Sequence, residues 1–361
     1  MRAIIRWKFL IINIFFILCV VFALWGGSVS PERFLLPAYF ILVLPVLLII
    51  NLLFVLFWIA FRKWYFLLSL VFLLITYPRT QAVFPINLRS MPTEFPEGSF
   101  SIMTYNTHAF GGAHRLASMD ENRVVQHILE RDPDIVVIQE FVSSARVPEE
   151  MAFEAFYRFP YRHIHYGNPR ATVRWGVATF SKFPIVHREV VDIPALVNSA
   201  IFSDIVIGSD TIRLFNLHLE SNRLTESDKT MPLELRENFS IDNLTQTTLH
   251  LSRKLGTAYR TRARQADIIA EEIRNSPHPV IVAGDLNDVP LSYVYRTVRG
   301  RMQDVFVSLG RGFGITFSEK IYHFRIDYIF CDENFIPLHF KRERVKYSDH
   351  YPLTAVLKIR R

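Results

Sequence analysis

The chain has 361 residues, of which 50% are hydrophobic and 21% are charged, and its formal net charge is +7. This composition excludes a disordered, collagen-like or disulfide-stapled protein, because apolar residues are plentiful and only two cysteines are present. Residues 1–78 hold six Lys or Arg and one acidic residue, so residues 79–361 have a net charge of only +2. The excess of basic over acidic residues therefore lies mostly in the N-terminal region and does not indicate a nucleic-acid-binding surface.

Three apolar runs occupy that N-terminal region, at residues 9–25, 34–61 and 64–77. A bilayer core about 30 Å thick takes about 20 helical residues, so the first two runs are long enough to cross it. The third run is either a further span or an interfacial helix. We therefore predict an integral membrane anchor of two to three transmembrane helices over residues 1–78. A cleaved signal peptide is a weaker alternative, since no small-residue cleavage site follows the first run.

Basic residues flank these runs unequally, and this predicts the orientation of the anchor. Five lie before the first run or between the second and third: Arg2, Arg6, Lys8, Arg62 and Lys63. Three lie on the opposite side: Arg33, Arg79 and Arg89. Because cytoplasmic flanks carry the excess of Lys and Arg, three spans place the C-terminal region outside the cytoplasm, and two spans place it inside. We expect the extracytoplasmic arrangement.

After residue 78 the composition becomes polar. Residues 79–98 contain Pro85, Pro92 and Pro96 among polar residues, which predicts an extended linker. Residues 99–361 would then form one catalytic domain.

Short apolar runs alternate with polar stretches throughout that domain. They predict nine strands, over residues 100–105, 135–139, 161–165, 177–180, 200–207, 212–219, 280–283, 325–330 and 353–359. Apolar residues at helical spacing predict helices over 121–131 and 262–274. Many strands with few helices indicate an α/β (α+β) sandwich of sheets flanked by helices. Residues 223–259 are polar and are either a functional loop or partly helical, and the sequence leaves both open.

Polar residues recur at the ends of the predicted strands, where a rigid scaffold can position a site. They are Asn106, Glu140, His218, Asp285, Asn287, Asp288, Asp327, Asp349 and His350. Each alone has an ordinary explanation as a turn, cap or core residue, and it is their joint occurrence that indicates a site. Oxygen donors and histidine without thiols suit Mg²⁺ or Mn²⁺. Such a set fits hydrolysis of a phosphoester by water.

Six motifs occur in order along this region. They read Met-Thr-Tyr-Asn106, Ile-Gln-Glu140, Asn-Leu-His218-Leu, Gly-Asp285-Leu-Asn287-Asp288, Arg-Ile-Asp327-Tyr-Ile and Ser348-Asp349-His350-Tyr-Pro. Together they resemble the endonuclease/exonuclease/phosphatase superfamily, also called DNase I-like, over residues 100–358. The resemblance implies a four-layer sandwich, with two packed β-sheets between helices, and Mg²⁺-dependent phosphoester hydrolysis.

The resemblance also implies which residues bind the metal and the phosphate. Glu140 resembles the principal metal-binding carboxylate of the family, with Asn106 beside it in the metal and phosphate shell. Asp349 resembles a second carboxylate near the metal. Asn287 and His350 resemble residues that contact the phosphate.

The catalytic roles are likewise implied by the resemblance. Asp285 resembles the residue that orients or deprotonates the attacking water, with Asn287 as its partner. His350 resembles the histidine at the scissile phosphate, and Asp327 the carboxylate that fixes its tautomer and favours its charged form. His218 resembles the histidine on the leaving-group side. The sequence leaves open which of these groups transfers the proton.

The substrate class stays open at the level of sequence. Thr107-His108 follows Asn106, where abasic-site endonucleases of the family typically carry an acidic residue, and this argues against DNA repair. The expected partners are the lipid bilayer and a phosphoester substrate, which is a lipid, a small molecule or a nucleic acid; we predict no protein partner. The alternative is a catalytically inactive membrane scaffold or binding protein that keeps the fold.

Overall fold

The computed structural model describes residues 3–88, 90–112, 119, 121–194 and 198–360. Arg2 and Arg89, which contribute to the predicted orientation, lie outside these residues. The N-terminal region forms four helices, α1 (Ala3–Gly26), α2 (Leu36–Leu42), α3 (Leu44–Ala60) and α4 (Phe66–Thr80). α1 is long and apolar enough to cross a membrane, and α2 and α3 pass the same test together although they are bent by 62°. α4 is a shorter apolar helix.

The polar residues that interrupt the apolar runs meet inside this helical bundle. Asn13 Nδ2 donates to Ser69 Oγ at 2.7 Å, and Ser69 Oγ donates to Asn51 Oδ1 at 3.3 Å. Trp58 Nε1 donates to Asn13 Oδ1 at 3.1 Å, and all four side chains are fully buried. Polar groups in an apolar environment need partners, and this network joins α1, α3 and α4. We name it the anchor network after the predicted anchor.

Two six-stranded sheets form the domain. The first contains β1 (Ser99–Asn106), β2 (Ile135–Ser144), β3 (Tyr161–Tyr166), β4 (Val173–Ser181), β13 (Phe335–Arg342) and β14 (Leu353–Ile359), in the order 13-14-1-2-4-3. The second contains β5 (Ile185–Val191), β6 (Ser199–Ile207), β7 (Asp210–His218), β8 (Val280–Asp285), β9 (Gln303–Asp304) and β12 (Asp327–Cys331), in the order 5-6-7-8-12-9. A separate hairpin pairs β10 (Phe317–Glu319) with β11 (Tyr322–Phe324).

Helices accompany both sheets. They are α5 (His108–Gly112), α6 (Arg123–Arg131), α7 (Glu149–Ala155), α8 (Glu226–Glu237), α9 (Ile241–Arg274), α10 (Tyr293–Arg299) and α11 (Val305–Leu309). Of these, α6, α7, α9 and α10 cover the outer faces of the sheets. α5 is a single turn with left-handed backbone at Ala109, Phe110 and Gly111.

Three clusters of buried apolar residues separate the layers. The central one lies between the sheets and includes Val137 and Leu214. A second joins the first sheet to α6 and α7, through residues such as Ile128. A third joins the second sheet to α9, α10 and the N-terminal helices, and contains Ile269 and Leu24. The four-layer sandwich is therefore confirmed, and the N-terminal helices pack against its second sheet and outer helical layer.

The ends of α6 show how local sequence sets an element. Asn122 is its N-cap, and the side chain accepts from the backbone nitrogens of Val124 at 2.9 Å and Val125 at 3.2 Å. The helix stops where Asp132 adopts a left-handed backbone, directly before Pro133. Proline disfavours helix in the preceding residue, so the predicted end is confirmed.

All nine predicted strands are present, but two longer strands were not predicted. β5 and β13 are each at the edge of a sheet. The five central residues of β5 are exposed, and β13 contains Pro337 beside a bulge. An edge strand tolerates proline and charge and lacks a regular apolar alternation, so periodicity did not identify it. The polar stretch 223–259 is mainly helical, in α8 and the first half of α9.

The segment that precedes the domain is held against it. Residues 81–88 and 90–98 contain no helix or strand. The Ala82 carbonyl accepts from Arg325 Nη2 at 2.8 Å, and Asn87 Nδ2 donates to the Val307 carbonyl at 3.0 Å. At the end of α1, Arg296 Nη2 donates to the Leu24 carbonyl at 3.3 Å. The N-terminal helices are thus docked on the domain.

Candidate active site

Three neighbouring strands of the second sheet bring polar side chains together at one end of the sheet. His218, the last residue of β7, pairs in register with Asp285, the last residue of the parallel strand β8. Asp285 in turn pairs with Asp327, the first residue of the antiparallel strand β12. The register therefore places all three side by side at the same end of the sheet, and each is buried.

The first sheet contributes Asn106 and Glu140 to the same place. Asn106 ends β1, and Glu140 is in β2 at a bulge, with a positive φ of 53°. Bulges re-aim side chains and are common beside active sites. Asn106 Nδ2 donates to Glu140 Oε1 at 3.3 Å and to Asp285 Oδ2 at 3.0 Å. Asn106 thus links the two sheets.

The loop before β14 supplies Asp349 and His350. Ser348 Oγ donates to the Asn106 carbonyl at 2.9 Å, and Phe317 of β10 lies against the His350 ring, with centroids 5.1 Å apart. His350 Nδ1 lies 2.8 Å from Asp327 Oδ2, while Nε2 lies 3.8 Å from Asp285 Oδ2. The hairpin and the first sheet therefore hold the imidazole between two carboxylates.

Charge stabilises the protonated form of His350. Burial alone would lower its pKa, but the charge of Asp327 and the hydrogen bond to it prevail and raise the pKa to about 10. Burial, together with the charge of Asp327, raises the pKa of Asp285 to about 7. At neutral pH the site thus pairs an imidazolium with a carboxyl group that is poised to gain or lose a proton.

His218 has the opposite character. Burial lowers the pKa of its imidazole, so the ring is neutral at pH 7. Its Nε2 is buried without a hydrogen-bond partner among the described residues, 3.8 Å from Glu140 Oε1 and 4.0 Å from Asp285 Oδ2. Buried polar atoms are normally satisfied, so this nitrogen is available to a ligand in the site.

Asn287 and Asp349 complete the set of predicted site residues. The Asn287 backbone nitrogen donates to Asp285 Oδ1 at 2.7 Å, and its Nδ2 donates to Asp285 Oδ2 at 3.2 Å. Asp349 Oδ1 lies 3.3 Å from His108 Nδ1. Burial opposes ionisation of Asp349, but the hydrogen bond from His108 and the charge of His350 lower its pKa. All eight predicted side chains therefore lie at one place.

The donor set fits a hard divalent cation. One donor atom each from Asp285, Asp327 and His350 lie within 4.8 Å of one another. Because His350 is hydrogen-bonded to Asp327 and its protonated form is favoured, that pair is poorly suited to coordinate an ion. Glu140 Oε1 accepts from the amide nitrogen of Asn106, whose oxygen accepts from the His108 backbone nitrogen at 3.1 Å. The oxygen donors that suit Mg²⁺ are therefore the carboxylates of Glu140 and Asp349, which line the same cavity. A cation there would offset the repulsion between the buried carboxylates.

A cavity of about 200 Å³ opens over these residues and reveals groups that the sequence did not single out. Arg262, at the middle of α9, lines it and is fully buried. Its Nη1 donates to the Glu220 carbonyl at 2.7 Å, and its Nε lies 3.4 Å from Asp288 Oδ2. Nη2 is buried and has no partner in the part of the chain that the structure describes, so a cationic donor is available beside the cavity. In the sequence, Arg262 is indistinguishable from the other basic residues of its helix.

A family model described as the Endonuclease/Exonuclease/phosphatase family matches residues 103–350. The chain therefore belongs to that family. A second model, described as a domain of unknown function, matches residues 6–83. No curated protein matches the chain in sequence.

Solved structures share the fold. An endonuclease/exonuclease/phosphatase from Beutenbergia cavernae is 18% identical with a TM-score of 0.53, over 73% of this chain and 72% of that chain. D. rerio TDP2 complexed with a single-strand DNA product is 16% identical with a TM-score of 0.50, over 73% of this chain and 100% of that chain. The human Nocturnin catalytic domain with bound sulfate is 15% identical with a TM-score of 0.50, over 73% of this chain and 96% of that chain.

Family membership and site together define the class of protein: a hydrolase acting on phosphoester bonds. The predicted superfamily is confirmed.

Proposed function

We propose that this protein is a membrane-anchored, metal-dependent hydrolase that cleaves phosphoester bonds, phosphodiesters in particular, by direct attack of water. The observation that carries the proposal is the convergence of residues from six separate motifs. Asn106 and Glu140 from the first sheet meet Asp285 of the second, and His350 lies between Asp285 and Asp327. An inactive scaffold would have no need to keep these charges buried together, because buried carboxylates without a function only reduce stability.

The proposed metal site consists of Glu140, Asn106 and Asp349. Glu140 and Asp349 line the same cavity, and Asn106 is hydrogen-bonded to Glu140. Mg²⁺ suits these oxygen donors, and Mn²⁺ suits them as well. When bound, the ion would supply a Lewis acid beside the phosphoryl oxygens.

The remaining residues bind the phosphate and move protons. Protonated His350 donates from Nε2 to a phosphoryl oxygen, and Asp327 keeps it charged and oriented. Asp285, with a pKa of about 7, accepts the proton of the attacking water. Asn287 holds Asp285, and its amide nitrogen also donates to the Leu219 carbonyl at 3.0 Å, so it would bind the phosphate by giving up one of these bonds. His218 lies on the leaving-group side.

The N-terminal helices support membrane attachment with the domain outside the cytoplasm. Phe9 of α1 contacts Phe57 near the end of α3, with ring centroids 4.8 Å apart, and Trp58 contacts Tyr65 just before α4, at 5.1 Å. The start of α1, the end of α3 and the start of α4 thus lie together. The opposite ends, near Leu24 and Ala82, contact the domain.

This arrangement puts basic residues on the side away from the domain. They are Arg6, Lys8, Arg62 and Lys63. Since basic flanks remain in the cytoplasm, the domain would be extracytoplasmic, with α1, the bent pair and α4 as three crossings. Protease accessibility of the domain in intact cells tests this proposal, and protection of the domain until the cells are lysed would contradict it.

Hydrolysis of bis-p-nitrophenyl phosphate by the full-length protein tests the catalytic proposal. With Mg²⁺ or Mn²⁺, we expect turnover that falls by at least about 10²-fold in Glu140→Ala and in His350→Ala, because each removes a group that acts at the phosphate. The matched controls are Glu333→Ala and His187→Ala, which remove an exposed carboxylate and an exposed imidazole. Equal rates in all five proteins would contradict the site assignment, and absence of turnover in the unaltered protein would favour the scaffold alternative.

A further inference from the structure

One residue of the N-terminal helices lines the catalytic cavity. Leu42, the last residue of α2, borders it together with Val289 and Phe324. The opposite part of the cavity is formed by Glu140, Asp285 and their neighbours. The proposed anchor is therefore part of the wall around the site that would hold the phosphoester.

A second cavity of about 260 Å³ continues from this wall. It shares Leu42, Val289 and Phe324 with the catalytic cavity and extends along Pro45 and Val46 of α3. On the domain side it is bordered by Phe313, in the glycine-rich segment at residues 310–314, and by Ile315, which follows that segment. We name this second cavity the apolar groove.

Most of the wall of the apolar groove is hydrocarbon. Its two basic residues are largely paired elsewhere: Arg325 Nη1 donates to Asp304 Oδ2 at 2.7 Å and Nη2 to the Ala82 carbonyl at 2.8 Å, while its Nε has no partner among the described residues. His323 Nδ1 lies 3.0 Å from Ser318 Oγ. The catalytic cavity is lined by polar groups, among them Arg262, whose Nη2 has no partner in the described part of the chain, and His350. The two adjoining cavities share three lining residues and thus suit a molecule with an anionic head and an apolar tail.

The mouth of the apolar groove lies where α2 meets α3 at the 62° bend. Val46 is 55% exposed there, and Phe313, on the facing turn, is 43% exposed. Ile49 and Leu53 follow Val46 at helical spacing and are also exposed. A continuous apolar stripe therefore runs from the groove along α3, and in the proposed membrane orientation this stripe contacts the acyl chains of the bilayer.

We propose that the apolar groove holds an acyl chain of a membrane lipid whose headgroup phosphoester occupies the catalytic cavity. The substrate class is then a phospholipid, and Leu42 and Val46 of the anchor belong to the substrate site. In the reaction the oxygen of water bonds to phosphorus, one P–O ester bond breaks, and a proton of the water ends on the departing oxygen. This inference rests on the proposed function, because it requires both hydrolytic activity and membrane attachment.

Inhibition by n-alkyl phosphates tests the inference without choosing a headgroup. The full-length protein in lipid nanodiscs hydrolyses bis-p-nitrophenyl phosphate in the presence of butyl, octyl or dodecyl phosphate. We expect the inhibition constant to fall by at least about tenfold from butyl to dodecyl, since each buried methylene group strengthens binding. In Phe313→Ser and in Val46→Ser this chain-length dependence should weaken at least about fivefold, because each change makes the groove polar.

The matched control is Ile336→Ser, which changes an exposed apolar residue on the edge strand β13, away from the groove. Partitioning of dodecyl phosphate into the nanodisc affects all variants alike, so the comparison isolates the groove. Equal inhibition by butyl and dodecyl phosphate, or equal chain-length dependence in all variants, overturns the inference and leaves the proposed function standing. Stronger competition by single-stranded DNA than by dodecyl phosphate would indicate a nucleic-acid substrate instead. Absence of hydrolysis in the unaltered protein overturns both.

Discussion

The molecule contains two buried polar clusters, which differ in whether their side chains are charged and whether their hydrogen bonds are satisfied. In the anchor network, the side chains of Asn13, Asn51 and Ser69 are neutral and bonded to one another or to the backbone. In the proposed catalytic cluster, formed by Asn106, His218, Asp285, Asp327 and His350, carboxylates lie close together and His218 Nε2 has no partner among the described residues.

This difference in charge and hydrogen bonding indicates a different role for each cluster. A neutral network whose hydrogen bonds are satisfied stabilises one packing of the helices and needs no ligand. A cluster of buried charges with an orphaned nitrogen is costly by itself and becomes favourable when a cation and an anionic substrate enter. Changes in the two clusters should therefore have opposite consequences for stability and activity.

The largest expected effect comes from Asp327→Asn, which keeps the shape of the side chain but removes its charge. The pKa of His350 should fall from about 10 toward its ordinary value, so His350 loses its proton at alkaline pH. We expect the rate on bis-p-nitrophenyl phosphate to drop on the order of 10²–10³-fold, and more at pH 8 than at pH 6. A pH–rate profile checks this, with Glu333→Gln as the control. A loss of the same size at both pH values would show that Asp327 orients His350 without charging it.

A smaller effect is expected from Asp285→Asn, which should increase the stability of the folded protein. The pKa of Asp285 is raised to about 7 in the folded protein, so the folded state binds the proton more tightly than the unfolded state. That contribution is fully present at acid pH and is lost as the pH rises through about 7. In EDTA at pH 8, Asp285→Asn should therefore raise the free energy of unfolding by about 1–3 kcal/mol.

Thermal unfolding of both proteins between pH 5 and pH 8 measures that difference. The gain should shrink toward pH 5, and Mg²⁺ should stabilise the unaltered protein more than the variant. A variant that is less stable than the unaltered protein at pH 8 would contradict the idea that the carboxylates of the catalytic cluster repel one another in the folded state.

The smallest effect is expected from Asn13→Leu in the anchor network. It removes the partner of Trp58 Nε1 and of Ser69 Oγ, so two buried polar groups lose a hydrogen bond. We expect a loss of about 1 kcal/mol in stability and an unchanged pH–rate profile for the folded protein. Unfolding in nanodiscs measures the loss, and Thr76→Val, which removes a bond within one helix, is the control. An altered pH–rate profile would contradict the separation of the two clusters.

Much of the fold and the candidate site follows from local sequence. Central strands are apolar on both faces, and β7, β8 and β12 were predicted for that reason, together with the polar residues that end or begin them. The N-cap at Asn122 and the proline after Asp132 likewise set the limits of α6 without help from the rest of the molecule.

A local sequence pattern does not predict which buried surfaces contact one another. β5 and β13 owe their structure to a neighbouring strand, and α8 becomes a helix although its sequence is polar. Arg262 reaches the catalytic cavity only because α9 packs beside β8, and Leu42 only because α2 docks on the domain.

By itself, then, the sequence determined the three apolar N-terminal runs, the central strands and the eight polar residues at or near the ends of strands. Only the tertiary structure decided that Asn13, Asn51 and Ser69 pair with one another, and that the proposed anchor completes the wall of the catalytic cavity. The physical reason is that hydrophobic periodicity records which face of an element is buried. Contacts between elements far apart in the chain depend on packing and hydrogen bonding over the whole fold.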